Sequence, residues 1–262
     1  MELPPPNGLV TLLTDFGLRD PYVGIVKGMV KRQNPRAEVL DVCHGVPPQD
    51  VAVGALFVRA MVQRFPPGTV HVAVVDPGVG GERKALAVCA HECYWIGPDN
   101  GLLSAALPGP GHDADAREVD MAHLRGIPCS ATFHGRDVFG PIAGMLSGRK
   151  VGFPAIGPRA ARFQVLARHE GPAHKVLFVD HYGNLVTSLS AAEAAARKVT
   201  GLRVAGRFAP LRRTYSDAPA GEVLALVNSY DLVEIALCCG RADAALGCSP
   251  GAAVEVVTGG SA

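Results

Sequence analysis

The stretch Val74-Val75-Asp76-Pro77-Gly78-Val79-Gly80-Gly81-Glu82-Arg83 holds a carboxylate and a guanidinium close together in a glycine-rich turn. A largely apolar run, Val70 to Val75, ends at Asp76. A buried strand that stops at an Asp and opens into such a loop places that Asp at the carboxyl end of a sheet, where open α/β folds form their binding crevice. Two further stretches repeat the pattern: Val10-Thr11-Leu12-Leu13-Thr14-Asp15 followed by Phe16-Gly17, and Val176-Leu177-Phe178-Val179-Asp180 followed by His181-Tyr182-Gly183-Asn184. One Asp after a strand is commonly a turn former or a helix cap. Three in one chain point to a site assembled from strand ends, with Asp20 and His134 in nearby turns as further candidates.

Other chemistries have weaker support. Cys89-Ala90-His91-Glu92-Cys93 would put three ligands on one face if it ran as a single strand. No second pair follows, and Cys238-Cys239 would point to opposite faces of a strand. A structural zinc site normally draws its ligands from recognisable pairs, so small core thiols are the simpler reading. Gly78-Val79-Gly80-Gly81 is neither Gly-x-Gly-x-x-Gly nor a P-loop; a tight turn and a phosphate cradle both fit it. No Gly-x-Ser-x-Gly elbow occurs, and no Cys has an obvious activating neighbour.

These residues need a scaffold, and the pattern up to about Lys150 supplies one. Val10–Thr14, Ala37–Val42 and Val70–Val75 read as strands, as do Ala85–Cys89 and Glu92–Ile96, joined tightly. Tyr22–Gln33 reads as a helix with Val23, Val26, Met29 and Val30 on one face, opened by Asp20 as N-cap before Pro21. Asp50–Gln63 is a second helix, and Gly101–Ala106 and Asp137–Leu146 are short ones. The alternation predicts an α/β domain with a mostly parallel sheet covered by helices. Val151–Pro172 reads as a connector. Beyond it, Lys175–Val179, Leu202–Val204, Arg207–Phe208, Val223–Val227, Leu232–Leu237 and Ala253–Val257 are short strand candidates. Ser190–Arg197 is the one helical pattern there. That profile is an all-β barrel or sandwich. We therefore expect an α/β domain over residues 1–165 and a smaller all-β domain over 172–262, with the boundary near 160–172.

The 262 residues are 48% apolar and 19% charged, enough for a core and unlike a disordered chain. A net charge of +1 without a basic block gives no electrostatic case for nucleic acid or an anionic membrane. Seven cysteines in no framework spacing, without a secretory signal pattern, favour reduced thiols and a cytoplasmic location. No apolar run approaches the length of a membrane span.

At these residues the chain resembles the S-adenosyl-L-methionine hydroxide adenosyltransferases, which are similar to S-adenosyl-methionine-dependent fluorinases and chlorinases. The resemblance runs through Thr14-Asp15-Phe16-Gly17 with Asp20, Asp41-Val42-Cys43-His44, Val75-Asp76-Pro77-Gly78-Val79-Gly80 with Arg83, and Gly97-Pro98-Asp99-Asn100-Gly101-Leu102-Leu103. It continues through Phe133-His134-Gly135-Arg136-Asp137, Asp180-His181-Tyr182-Gly183-Asn184, Thr214-Tyr215-Ser216-Asp217 and Asn228-Ser229, leading to Glu234-Ile235-Ala236. It implies an α/β domain and a C-terminal β-barrel, arranged as a homotrimer whose active sites lie between the N-terminal domain of one subunit and the C-terminal domain of the next.

The reaction implied is hydrolysis of S-adenosyl-L-methionine to adenosine and L-methionine, by attack of water or hydroxide on the ribose 5′ carbon. It implies no metal and no cofactor. An incoming hydroxide cancels the sulfonium charge, which a dry cavity favours; making the nucleophile is hard, because bulk water has a pKa of about 15.7. By motif, Asp76, Arg83 and His134 hold and polarise the water, with Asp76 or His134 as the base. Asp15 holds the ribose hydroxyls. Asp20, Tyr22 and Asp180 receive the methionine ammonium; Ser229 and the backbone near Tyr230 receive its carboxylate, with Glu234 close by. Asn184 reads the adenine edge, and Tyr182 and Tyr215 flank the ring.

Halogenases carry a tyrosine where Asp76 stands and a threonine where Val79 stands; fluorinases also carry a serine at Gly135 and a long insertion before the strand of Tyr94. None is present, so halogenation is not expected. Asp231 stands where the family often has glycine, Leu237-Cys238-Cys239 replaces a more polar stretch near the adenine, and Gln49 stands at a fluorinase tryptophan. A protein that holds S-adenosyl-methionine or adenosine as a sensor, and a metal-dependent hydrolase using Asp and His, are the alternative readings.

Overall fold

The computed structural model describes residues 3–107, 115–166 and 173–259, which divide into two compact units, Met1–Leu166 and Ala167–Ala262. The connector read over Val151–Pro172 and the boundary near 160–172 fall partly on 167–172, outside the described residues.

The first unit runs β1 (Leu9–Thr14), α1 (Tyr22–Gln33), β2 (Glu38–Cys43), α2 (Val51–Met61), β3 (Val70–Val74), β4 (Ala85–Ala90), β5 (Cys93–Pro98), β6 (Asp115–Glu118) and α3 (Gly140–Ser147). Its sheet has the order β2-β1-β3-β5-β4-β6. The pairs β1–β2, β1–β3 and β3–β5 are parallel, whereas β4–β5 and β4–β6 are antiparallel. The sheet is thus parallel in its first four strands and antiparallel beyond, a narrower result than the mostly parallel sheet expected. The switch occurs at His91 and Glu92, with φ of 51° and 57°. Two adjacent left-handed residues make a tight hairpin whose twist matches its strands. Cys89 and Cys93 therefore stand on separate strands.

β3 is buried at all five residues, His71 included, as befits a strand covered on both faces. Val23, Val26 and Val30 of α1 pack with Ile142, Ala143 and Leu146 of α3 over Val10, Leu12 and Val72. Each such buried Val, Leu or Ile side chain contributes about 1.5–3 kcal/mol. A Cβ at Gly144 would lie 2.5 Å from the Val30 carbonyl oxygen, so only glycine lets these helices approach so closely. On α2, Gly54 faces Val75 and Leu102. Asp50 caps α2 by accepting from the Val53 N–H at 3.0 Å. Asp20 does not cap α1: Pro21 is its N-cap, without a side-chain hydrogen bond, and Asp20 stands exposed one residue too early. The Gly101–Ala106 segment forms a 3-10 turn over Leu102–Ala106. The helix read over Asp137–Leu146 forms as a π-helical turn, Gly135–Phe139, running into α3.

The second unit runs β7 (His174–Val179), β8 (Leu185–Ser190), α4 (Ala191–Ala196), β9 (Val199–Val204), β10 (Arg207–Pro210), β11 (Val223–Val227), β12 (Leu232–Leu237), α5 (Ala242–Leu246) and β13 (Ala253–Thr258). Its antiparallel sheet has the order β10-β9-β13-β7-β8-β12-β11. The two ends approach each other: Leu211 bridges Ala225, and the Arg212 N–H donates to the Ala225 carbonyl at 2.7 Å. The result is a nearly closed barrel around Val176, Leu185, Leu202, Ala225, Val233 and Ile235. Among the described residues no helix is long and apolar enough to cross a membrane.

Candidate active site

In the first unit the chain passes from β1 outward to β2, then returns to the other side of β1 as β3. The switch point lies between β1 and β3, the place where such sheets open a crevice at their carboxyl ends. Thr14 and Val74 are partners across this pair, so Asp15 and Asp76 emerge beside each other. A cavity of about 250 Å³ opens there, lined by Asp15, Phe16, Gln49, Asp76, Val79, Phe133 and His134 among others.

Local chemistry holds each wall. The Asn100 amide donates to the Val75 carbonyl at 2.8 Å, pinning the residue before Asp76. Gly80 has φ +76°, and a Cβ on it would lie 2.1 Å from the Ala131 oxygen. The glycine-rich turn thus serves close backbone approach, pressing the loop of residues 76–83 against the segment that carries His134. That segment is folded over Asp137, which accepts from Arg136 Nε at 2.6 Å, Arg136 Nη2 at 2.8 Å and the Ser130 N–H at 2.8 Å. Burial pushes the Asp137 carboxyl up, but these bonds and the Arg136 charge outweigh it and hold the group below the usual carboxylate range.

Arg83 joins the two walls. Its Nε donates to both Asp76 oxygens at 3.0 Å, and its Nη2 donates to Asp76 Oδ2 at 2.5 Å. The same Nη2 lies 2.7 Å from His134 Nδ1. Arginine has no acceptor, so Nδ1 must accept and the neutral ring carries its proton on Nε2. Burial first, and the Arg83 charge second, push the His134 pKa below its ordinary value, partly opposed by Asp76 and Asp137. The Asp76 and Arg83 side chains are 5% and 7% exposed. An ion pair so desolvated is costly to break and rigidly placed. A second cavity of about 320 Å³ lies against Arg83 and His134 and is bordered by Glu82, Lys84, Glu118, Met121 and Val138. His134 therefore lines both cavities.

Asp15 is half-buried and accepts from the Gln49 N–H at 2.8 Å. Asp20 is exposed. Tyr22 meets Phe133 edge to face at 5.3 Å, and Phe16 completes an aromatic trio. Phe16, Phe133, Gln49 and Asp137 were absent from the sequence-based candidates. The Thr14-to-Gly17 and Phe133-to-Asp137 motifs already bracketed all but Gln49, which the sequence marked only as a departure at a fluorinase tryptophan.

The remaining candidates stand on the second unit. Asp180 and Asn184 close a turn on each other: the Asn184 N–H and Nδ2 donate to the two Asp180 oxygens at 2.8 and 3.0 Å. Glu234 is 3% exposed, and its oxygens accept from Tyr215 Oη at 2.5 Å and Asn228 Nδ2 at 2.9 Å. Burial, then the bond to Glu234, raises the Tyr215 phenol well above its ordinary value. Tyr182 is 73% exposed. Ser229 is exposed, and Tyr230 lies against Phe178 with ring centroids 5.9 Å apart. Asp231 has φ +59°, the left-handed backbone region that favours glycine. Cys238 and Cys239 do not alternate across a strand: they occupy the turn after β12, with sulfurs 3.9 Å apart. Among the described residues no group of three or more His, Cys, Asp or Glu is arranged to hold a metal.

Comparison with known proteins adds a further line. Residues 10–157 match the SAM hydroxide adenosyltransferase N-terminal domain, and residues 174–255 match its C-terminal domain. An (R)-S-adenosyl-L-methionine hydrolase of Salinispora arenicola is 41% identical over 95% of this chain and 98% of its own length. One of Thermus thermophilus is 40% identical over 95% and 99%. The crystal structure of an uncharacterized conserved protein from Thermotoga maritima superposes with a TM-score of 0.83 at 31% identity, covering 95% of this chain and all of that one. With both domain matches in order and these relatives spanning nearly its whole length, the chain belongs to the SAM hydroxide adenosyltransferase family.

Proposed function

We propose that this protein is an enzyme that hydrolyses S-adenosyl-L-methionine to adenosine and L-methionine. The observation that carries this reading is the single guanidinium of Arg83, bonded at once to Asp76 and His134, both of which line a strand-end cavity. The names of the curated relatives support it, and support the (R) sulfonium as substrate.

Water attacks the ribose 5′ carbon as the C–S bond breaks; the electron pair leaves with sulfur, and the thioether of methionine is neutral. The attack cancels the sulfonium charge, so a dry site favours it. His134 Nδ1 is occupied by Arg83, which leaves the ring as an N–H donor to the water oxygen through Nε2. Asp76 is then the acceptor within the trio, and Arg83 holds its carboxylate at a fixed angle. The reaction needs no cofactor or metal in this reading. Arg83 already fills the position between Asp76 and His134 where a cation would sit.

Asp15 binds the ribose diol, and Asp20, Tyr22 and Asp180 receive the ammonium. Ser229 and Tyr230 receive the carboxylate; Asn184, Tyr182 and Tyr215 recognise adenine, with Glu234 fixing Tyr215. The enzyme acts as a homotrimer in the cytoplasm, each active site completed by the C-terminal domain of the next subunit. The cavity of the first unit, at about 250 Å³, falls below the roughly 300–1,000 Å³ that usually encloses a ligand of this size, which supports completion of the site by a further surface and says nothing of the number of chains. Sedimentation giving three chains per particle checks it.

Incubation with S-adenosyl-L-methionine without added metal, followed by chromatography, tests the reaction. Adenosine and methionine form in equal amounts, and Asp76→Ala lowers the rate by ~10³-fold while adenosine still binds. Intact substrate on a protein that binds adenosine would instead identify a sensor.

A further inference from the structure

Cys238 and Cys239 differ from the other five cysteines. Cys89 and Cys93 are buried, and Cys43, Cys129 and Cys248 make no thiol contact with another cysteine among the described residues. Cys238 and Cys239 are the central residues of a four-residue turn closed by the Gly240 N–H donating to the Leu237 carbonyl at 3.0 Å. Their sulfurs touch at 3.9 Å, with Cys239 exposed and Cys238 half-buried. The backbone of Cys238 is held on both sides, by the Gly221 N–H at 2.8 Å and the Glu222 carbonyl at 2.9 Å. The turn is thus anchored with the two sulfurs already in contact. Cys238 also covers the small cluster Leu224, Leu226 and Ala236, together with Ala218, which follows the short helical turn carrying Tyr215.

We propose that Cys238 and Cys239 form an oxidative modification site, a vicinal dithiol that hydrogen peroxide closes to a disulfide within one turn, and that closure weakens nucleoside binding through the Tyr215 segment. The second part rests on the function proposed above.

In the first step the Cys239 thiolate attacks a peroxide oxygen. An S–O bond forms, the O–O bond breaks, and the leaving hydroxide takes a proton to become water. In the second step the Cys238 sulfur attacks the Cys239 sulfenic acid. An S–S bond forms, the S–O bond breaks, and a second water leaves with the Cys238 proton. Two thiols are oxidised and one peroxide is reduced to two waters. Exposure makes Cys239 the first nucleophile. Partial desolvation, then the contact with Cys239, pushes the Cys238 thiol pKa up, which keeps it protonated and suits the resolving role. Closure draws Cys238 off the cluster it shares with Ala218 and loosens the support of the neighbouring 215–217 turn.

The test treats the whole protein with hydrogen peroxide, alkylates the remaining thiols, and reads intact and peptide masses. Adenosine binding is measured on the reduced and oxidised forms by calorimetry. Expected is the loss of two hydrogen masses confined to the 238–239 peptide, reversed by dithiothreitol, abolished in Cys238→Ser and Cys239→Ser, and retained in Cys129→Ser. The oxidised protein binds adenosine about tenfold more weakly, about 1.4 kcal/mol. Oxygen addition at Cys239 without ring closure, or cross-linking between chains, would overturn the site. Closure with unchanged adenosine affinity would overturn its coupling to Tyr215. Failure of the reduced protein to bind adenosine would count against the enzymatic reading, and the mass result would stand apart from it.

Discussion

Asp76 and Glu234 are both shielded carboxylates held by hydrogen bonds, and they differ in what lies beyond them. Asp76 follows a central strand, fronts a cavity, and shares its arginine with a histidine. Glu234 lies within β12, between β11 and β8, with its two oxygens taken by Tyr215 and Asn228. Burial alone therefore does not mark chemistry. The first carboxylate has open volume in front of it, and the second is closed in by the Tyr215 hydroxyl and the Asn228 amide. In the proposed function the first unit reacts and the second binds.

That contrast can be broken by substitution, in decreasing order of effect. After the loss expected for Asp76→Ala, Arg83→Lys comes next. Lysine keeps the charge and loses the fork that reaches Asp76 and His134 together, so kcat falls by ~10²-fold with KM little changed. If KM rises instead, Arg83 belongs to binding and the division fails. Tyr215→Phe leaves a buried Glu234 short of a donor, at a cost of about 1–3 kcal/mol. Its effect is expected in KM, raised about tenfold, with kcat preserved; a collapse in kcat would place Tyr215 with the reacting groups.

The pH profile sharpens the assignment of His134. Its pKa is lowered in the folded protein, by burial first and Arg83 second. The neutral form accepts from Arg83; protonation would turn Nδ1 into a donor facing a donor. Activity is therefore expected to persist as pH falls below the ordinary histidine value of about 6.5, and to disappear only when the folded group protonates. Stability runs the same way: the unfolded chain binds the proton more readily, so this contribution is present above the unfolded pKa and is lost as pH falls through the folded one. An acid limb at or above 6.5 in kcat/KM would contradict this. The smallest effect expected is that of a chelator: EDTA dialysis should leave kcat unchanged, and a metal-restored rate would replace the Arg83 scheme.

Much of the scaffold was legible from local pattern. The strands before Asp15 and Asp76 are apolar runs that end abruptly, and α1 and α2 show a clear buried face. β6, Asp-Ala-Arg-Glu, was not legible, because three of its four residues are charged and it forms only by pairing with β4. β8 was missed as well. Its Thr187 reads as polar, yet it lies inside the barrel with its hydroxyl bonded to the Val233 carbonyl at 2.6 Å. Asp20 looked like a cap because Pro21 follows it; the helix begins a residue later than that pattern implies. The motifs named Asp76, Arg83 and His134, but left open whether Asp76 or His134 takes the proton.

By itself the sequence determined the alternation of strands and helices, the carboxylates at strand ends, the family, and the trio of side chains. These depend on neighbours in the chain: periodicity, turn residues and short motifs. Tertiary structure decided where the sheet turns antiparallel, that Gly80 serves close approach, and that two cysteines touch. It also decided the hydrogen-bond valence of His134, because its partner lies 51 residues away. A donor's or acceptor's free positions exist only once distant groups have met, and no local pattern records them.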